Sequence, residues 1–121
     1  MKENIIATKS VDFAIKSVVI YKKVLKLFNE FVLTKQFLRS STAIGALVKE
    51  AEHAQSPADF IHKMNIALKE ANETEYWVLL LFKGGYFTED EYNEYTKEAN
   101  ELIRILASIV KTSKEKLYGK K

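Results

Sequence analysis

The stretch that decides the fold is residues 57–85, which read PADFIHKMNIALKEANETEYWVLLLFKGG. Apolar and small side chains recur in it at alternating spacings of three and four residues, which is typical of helices packed at small crossing angles. Pro57 suits the first helical position, and Gly84 with Gly85 suits the end of a helix. The stripe consists of Phe60, Met64, Ala67, Ala71, Thr74, Val78 and Leu81. It predicts one long helix, from residue 57 to residue 83.

Three other segments carry the same spacing, two before this stretch and one after it. The period-two alternation of a half-buried strand is nowhere sustained. The stripes are Val11, Ala14, Val18, Tyr21, Leu25, Phe28 and Val32 in the first segment, Phe37, Ser41, Ile44, Val48 and Ala51 in the second, and Tyr92, Tyr95, Ala99, Leu102, Leu106 and Ile109 in the last. We therefore predict an all-α chain with helices at about 9–31, 35–54, 57–83 and 89–116.

The residues between the segments predict helix caps and short connections. Ser56 is a capping serine, and Thr88 with Glu91 forms a capping box, in which a hydroxyl and a carboxylate each reach the other residue's backbone amide. Thr34 is the expected cap of the second helix. Because connections this short force successive helices to run antiparallel, we predict a single domain, 1–121, folded as an antiparallel up-down-up-down four-helix bundle.

Composition excludes several classes of protein. The 121 residues contain no cysteine, so disulfide frameworks, thiolate metal sites and cysteine nucleophiles are ruled out. The longest uninterrupted apolar run is Tyr76–Phe82, far short of the roughly 20 residues that span a bilayer. The N-terminus lacks the long apolar segment of a secretory signal. We expect a cytoplasmic protein with no membrane partner.

Charge is unevenly distributed along the chain, although the net charge is only +3. Residues 1–49 hold nine Lys/Arg and three Asp/Glu, residues 50–101 hold four and twelve, and residues 102–121 hold six and one. Such segregation steers association with oppositely charged partners when it survives on the folded surface. The alternative is that solvated helix faces of opposite charge partly neutralise each other within the chain.

The first and third helices carry more apolar side chains than one packing stripe requires. A bundle helix buries an arc of a little over 100°, and a wider apolar arc left exposed favours association. The additional residues are Phe13, Ile20, Val24, Leu27 and Phe31 in the first helix, and Ile61, Leu68, Trp77, Leu79 and Phe82 in the third. We expect a homo-oligomer that covers this surface. The alternative is that bulky residues surround a thick core.

Few residues could carry out chemistry. Di-iron bundles need Glu-x-x-His motifs facing inward, and Glu50 with His53 supplies one copy, while Asp59 with His62 is only an approximate second. Both lie near one end of the predicted bundle. With two histidines and no cysteine, no nucleophilic triad is evident. We predict a protein that is not an enzyme and has no cofactor; the alternative is a metal-binding bundle or an unrecognised enzyme that uses Glu50 and His53.

Polar residues interrupt the apolar stripes of the second and third helices. A guanidinium that reaches a carboxylate on a neighbouring helix forms a charge-assisted pair that fixes helix register or subunit pairing. We expect Arg39 to pair with an acid of the third helix, with Glu75 as the first candidate. The further candidates for polar pairing are Glu50, Glu70 and Glu73. The alternative is that all these charges face solvent.

Lysines cluster on the first helix and near the C-terminus. Lys9, Lys16 and Lys23 recur every seven residues, so they share one helix face. Clustered lysines attract phosphate backbones without reading their sequence, and in a ring-shaped oligomer the cluster would be repeated and bind by multivalency. The candidate nucleic-acid contacts are Lys16, Lys22, Lys23, Lys26, Lys111, Lys114 and Lys116.

Four segments resemble a known family: 38–46 (LRSSTAIGA), Glu50-Ala51, 56–60 (SPADF) and 66–77 (IALKEANETEYW). They are similar to the bacterial four-helix bundle family of intervening-sequence proteins, which are encoded within insertions in large-subunit ribosomal RNA genes and elsewhere in bacterial genomes. The resemblance extends from about Phe13 to Thr112. Its departures are Ser41, Ala43 and Leu47, which stand where the family pattern has Gly, Ser and Asn.

The resemblance implies an up-down bundle that assembles as a homopentamer. It also implies similarity to the accessory proteins of diversity-generating retroelements, which are basic pentameric bundles that bind nucleic acid and a reverse transcriptase. The sequence therefore predicts a self-assembling interaction module. Its expected partners are further copies of itself, together with RNA, DNA or another protein.

Overall fold

The computed structural model describes residues 2–119, and the side chains of residues 5–119. Within that range it contains four α-helices and no strand. The helices are α1 (Lys2–Phe28), α2 (Val32–Glu52), α3 (Pro57–Lys83) and α4 (Glu89–Tyr118). Each helix packs beside the next, and α4 packs against α1, which closes the bundle. The predicted all-α, antiparallel four-helix bundle is confirmed.

The connection between α1 and α2 differs from the prediction of helices at 9–31 and 35–54. Asn29 ends α1 because its φ of 54° lies in the left-handed region. The Glu30 carboxylate then caps α2, accepting from the backbone N–H of Val32 at 3.1 Å, of Leu33 at 2.9 Å and of Thr34 at 2.9 Å. Partial burial raises the pKa of Glu30, but a hydrogen bond from the Thr34 hydroxyl, together with these backbone bonds, outweighs burial and holds the pKa below its ordinary value.

Thr34 is therefore not the cap of α2, as the sequence predicted. It lies inside the helix, and its hydroxyl donates to the Glu30 carboxylate at 2.6 Å. The N-cap residue is Phe31, whose own side chain makes no capping bond. The Glu30 carboxylate, one residue before the N-cap, thus caps the helix in place of the Thr34 hydroxyl that the sequence predicted.

The ends of α3 and the start of α4 follow the sequence prediction. Ser56 Oγ accepts from the Asp59 N–H at 3.0 Å, and Thr88 and Glu91 form the capping box, with bonds of 3.1 and 2.8 Å. Gly85 has a φ of 89°, which lets the chain turn out of α3. These local signals place α3 and α4 in the sequence without reference to their packing.

The core stripes of α2, α3 and α4 closely match the predicted ones, but that of α1 does not. The inward residues of α1 are Ile6, Ser10, Phe13, Ser17, Ile20 and Val24, all buried. The predicted α1 stripe instead faces outward, since Val11, Val18, Phe28 and Val32 are each more than one third exposed. Two stripes of the same spacing run along α1, and the inner one contains two serines, which conceal it in the sequence.

One of those serines, Ser10, lies where α1 and α2 pack closely. Ser17 Oγ donates to the Phe13 carbonyl at 2.8 Å and Ser10 Oγ to the Ala7 carbonyl at 3.2 Å, so neither buried hydroxyl lacks a partner. A Cβ placed on Gly45 of α2 would lie only 3.3 Å from the Ser10 carbonyl oxygen. The small residues let the two helix backbones approach closely.

Candidate functional site

The outward face of α1 is apolar. Val11, Ile15, Val18 and Val19, here called the outer stripe, are 52%, 58%, 39% and 63% exposed. Their spacings of four, three and one place them together on one side of the helix. The sequence correctly predicted surplus apolar surface on the first helix, but three of the five residues it named, Phe13, Ile20 and Val24, are buried.

An apolar groove lies beside the outer stripe, between α1 and α2. Its volume is about 310 Å³. It is lined by Val11, Ala14, Ile15 and Val18 of α1 and by Thr42, Gly45, Ala46 and Lys49 of α2. Small residues predominate on its α2 side, so a helix from another molecule could approach it closely. We call this feature the α1–α2 groove.

Further apolar side chains are exposed where α1 meets α2. Leu27 and Phe31, both members of the predicted surplus, are 61% and 57% exposed. Among the surplus residues of α3, Ile61 is buried, whereas Leu79 is 38% exposed and lies beside the 54% exposed Tyr76. Exposed apolar surface is thus present on two sides of the bundle, mainly on α1 and to a smaller extent on α3.

All three heptad-spaced lysines pair with acids of α4. Lys9 pairs with Glu101 at 2.9 Å, Lys23 pairs with Glu91 at 2.5 Å, and Lys16 pairs with both Glu94 and Glu98. Partial burial lowers the pKa of Lys16, but the two carboxylates outweigh it and the pKa is raised. We call these contacts the α1–α4 ladder. It pairs three of the basic residues of segment 1–49 with four of the acids of segment 50–101.

The candidate nucleic-acid lysines therefore divide into two kinds. Lys16 and Lys23 are held in the ladder, whereas Lys22 and Lys26 are exposed and form no ion pair with a described residue. Lys111, Lys114 and Lys116 are likewise exposed and unpaired within the described chain, on the last two turns of α4. Since α1 and α4 are antiparallel, these two groups lie near opposite ends of the bundle.

Arg39 pairs across the α2–α3 interface, but with different acids from the one expected first. Its guanidinium bonds to Glu70 at 3.2 and 3.3 Å and also to Glu73. These bonds, that to Glu70 first, raise the pKa of Arg39. The Trp77 indole N–H donates to Glu73 at 2.9 Å and, together with Arg39, lowers the pKa of Glu73. Glu75 lies two residues further on and faces another side of α3.

The other candidate polar residues do not form a reactive centre. Glu50 pairs with Lys63 at 3.1 Å, and His53 is exposed at the C-terminal end of α2. Glu75 is half-buried without a partner among the described residues, and burial raises its pKa. Across the described side chains, no group of three or more His, Cys, Asp or Glu residues could hold a metal ion. Nothing here supports the metal-binding alternative.

A second apolar cavity lies at the end of the bundle that contains the α3 N-terminus. It has a volume of about 380 Å³, and its lining is Pro57, Phe60, Ile61, Ser113, Lys116 and Leu117. Ser113 and Lys116 are its polar lining residues, so it offers little to orient a substrate.

None of the helices, over the residues that the structure describes, is both long enough and apolar enough to cross a membrane. A solved structure with the same fold is described as a protein of unknown function from the S23 ribosomal protein family of Bacteroides thetaiotaomicron VPI-5482. The two chains are 50% identical; the match covers 92% of this chain and 99% of the other, with a TM-score of 0.90. No curated protein matches significantly. Residues 2–108 match the family described as 23S rRNA-intervening sequence protein, and the chain belongs to that family.

Proposed function

We propose that this protein is a non-enzymatic interaction module that self-assembles, and that its assembled form binds nucleic acid. The observation that carries the proposal is the outer stripe of α1, where four large aliphatic side chains lie side by side in water. Clustered apolar surface of this kind marks interaction sites in proteins. A second copy of the chain is the partner we propose for it.

The assembly is a homopentamer in this proposal, and the protein acts in the cytoplasm. The number of copies follows from the family resemblance, as does the relationship to retroelement accessory proteins. A repeated arrangement of weak lysine contacts would strengthen binding through multivalency. Nucleic acid is preferred over a protein partner because Lys22, Lys26 and the lysines of the last turns of α4 are left unpaired within the described chain.

Self-assembly is tested by measuring particle mass with light scattering over a range of concentrations. We expect a mass several times that of the 13.9 kDa chain. Val19→Asp should lower that mass, because a carboxylate cannot be buried unpaired at an apolar contact. Asn93→Asp adds the same charge at an exposed position of α4 and should leave the mass unchanged. A wild-type protein that stays at 13.9 kDa at every concentration refutes the proposal.

Nucleic-acid binding is tested by gel shift with generic single-stranded RNA at increasing salt. Affinity should fall as salt rises, and each lysine–phosphate contact contributes a log–log slope of about −0.7. Replacing Lys22 and Lys26 with Ala should make the slope shallower. The matched control replaces Lys69 and Lys97, which are also exposed but lie on α3 and α4. Binding that is insensitive to salt contradicts a lysine–phosphate mechanism.

A pure scaffold with a protein partner is the competing function. Pull-down from native cells, with and without nuclease, separates the two. Partners that are lost after nuclease treatment are bridged by nucleic acid, which supports our proposal. Partners that persist after the treatment support the scaffold.

A further inference from the structure

The exposed apolar surfaces of α1 and α3 lie on different sides of the same chain. The helices pack in the cyclic order α1, α2, α3, α4, and α1 does not pack against α3. The two helices therefore occupy diagonal corners of the bundle. A molecule that uses both surfaces at once must contact two different neighbours.

The outward face of α3 has the form of a short ridge. Tyr76 and Leu79, three residues apart and so on one side of the helix, are 54% and 38% exposed. Glu75, on the same side and four residues before Leu79, has no partner among the described residues. The ridge thus presents two apolar side chains beside one unpaired carboxylate.

The α1–α2 groove has the complementary features. Ala14, Gly45 and Ala46 leave space for the larger side chains of another helix, and Ile15 with Val18 provides apolar walls. Lys49 lines the groove, is exposed, and forms no ion pair with a described residue. Packing of a ridge into a groove between helices is the ordinary way in which helices associate.

We infer that the α3 ridge of one molecule, formed by Glu75, Tyr76 and Leu79, docks in the α1–α2 groove of a second copy, where Glu75 meets Lys49. This inference rests on the proposed self-association and specifies its surfaces. Tyr76 and Leu79 fill the apolar part of the groove, and the ammonium of Lys49 compensates a carboxylate that has no partner among the described residues of its own chain. Because the two surfaces differ, the contact is head-to-tail, and repetition of it closes a ring or extends a filament.

Two arginine variants test the inference. Tyr76→Arg disables the ridge, and Ala46→Arg fills the groove. Both positions are exposed in the single chain, so the bundle should still fold, which circular dichroism checks. Each variant alone should have the mass of the 13.9 kDa chain by light scattering. Asn93→Arg, at an exposed position of α4 outside both surfaces, is the control and should assemble as the wild type does.

Mixing the two variants in equal amounts provides the decisive measurement. The ridge variant keeps an intact groove and the groove variant keeps an intact ridge, so the mixture should form a complex of two chains and stop there. The two disabled surfaces repel because both carry an added arginine. A mixture that remains monomeric, or single variants that keep the wild-type mass, overturns the inference. If the variants keep the wild-type mass, the proposed self-assembly still stands, whereas a monomeric wild type would refute both.

Discussion

The α2–α3 and α1–α4 interfaces both carry exposed ion pairs, but their helices pack differently. Between α2 and α3, Ser40 and Thr74 are fully buried, and their hydroxyl oxygens are 3.0 Å apart. The backbones of these two helices pack closely. The backbones of α1 and α4 pack less closely, and the α1–α4 ladder lies over a crevice of about 100 Å³. A partly buried polar link there is made by Tyr95, whose hydroxyl donates to the Lys16 carbonyl at 2.8 Å.

The difference shows how α1 can belong to the bundle and still present a second apolar face. Its inner residues and its close approach to α2 attach it to the core. Between α1 and α4, long lysine side chains span the gap between the two backbones, so α1 does not need to pack closely against α4. A helix attached in this way leaves its outer stripe in water, where a second copy can reach it.

The largest expected effect comes from removing the aromatic contact beneath the ladder. Phe13 is 1% exposed, and its ring centroid lies 5.9 Å from that of Tyr95. Phe13→Ala should lower the free energy of unfolding by about 3–5 kcal/mol, since it leaves a cavity in the core. Val18→Ala, on the outer stripe, should cost less than about 1 kcal/mol in the dissociated chain. Urea denaturation measures both, and similar losses would mean that the inner and outer stripes of α1 have been confused.

Overfilling the α2–α3 interface should have the next largest effect. Ser40 is 0% exposed, so Ser40→Leu inserts atoms where no space exists and should cost about 1–3 kcal/mol of unfolding free energy. Gln36→Leu makes a comparable change one turn earlier at an exposed position and should be nearly neutral. If Ser40→Leu stabilises the protein, then α2 and α3 are less closely packed than the buried hydroxyls imply.

The same two interfaces show which features the sequence could predict. The stripes of α2, α3 and α4 each contain one dominant series of apolar residues at spacings of three and four, so their core faces could be assigned. On α1 the residues that pack inward include Ser10 and Ser17. Their hydroxyls are polar, but they can be buried because each donates a hydrogen bond to a carbonyl of the same helix. Periodicity counted Val11 and Val18 as core because it cannot distinguish a stripe that faces the core from one that faces outward.

Polar pairing was less predictable than apolar packing. The antiparallel arrangement correctly placed Arg39 near the acids of α3, but each residue turns a helix by about 100°, so Glu73 and Glu75 project from different sides. The spacing of the ladder was visible as Lys9, Lys16 and Lys23. The acids opposite them could have been identified by aligning the antiparallel helices, because Glu91, Glu94, Glu98 and Glu101 follow the same seven-residue rhythm on α4.

A smaller effect on the free energy of unfolding is expected at the connection between α1 and α2. Glu30→Ala removes the carboxylate that caps α2 and should cost about 1 kcal/mol near pH 7. The pKa of Glu30 is lowered in the folded state, so its contribution is present above the ordinary carboxyl value of 4.5 and is lost as pH falls through the folded pKa. The difference between variant and wild type should therefore shrink below pH 4.5. Glu52→Ala, at the exposed far end of α2, should show no comparable loss.

The smallest expected effect is on the ladder itself. Lys16→Ala should cost less than about 1 kcal/mol, since ion pairs this exposed contribute little. Part of the loss is repulsion between Glu94 and Glu98, which lie four residues apart and are left facing each other without a cation. Salt at 1 M shortens the screening length to about 3 Å and should remove most of the difference from wild type. Urea must be the denaturant, because guanidinium is itself a salt.

A loss that persists at 1 M salt would mean that Lys16 acts through packing of its aliphatic stem on Tyr95, whose ring centroid lies 5.5 Å from Lys16 Nζ. The α1–α4 interface would then depend on packing more than on charge.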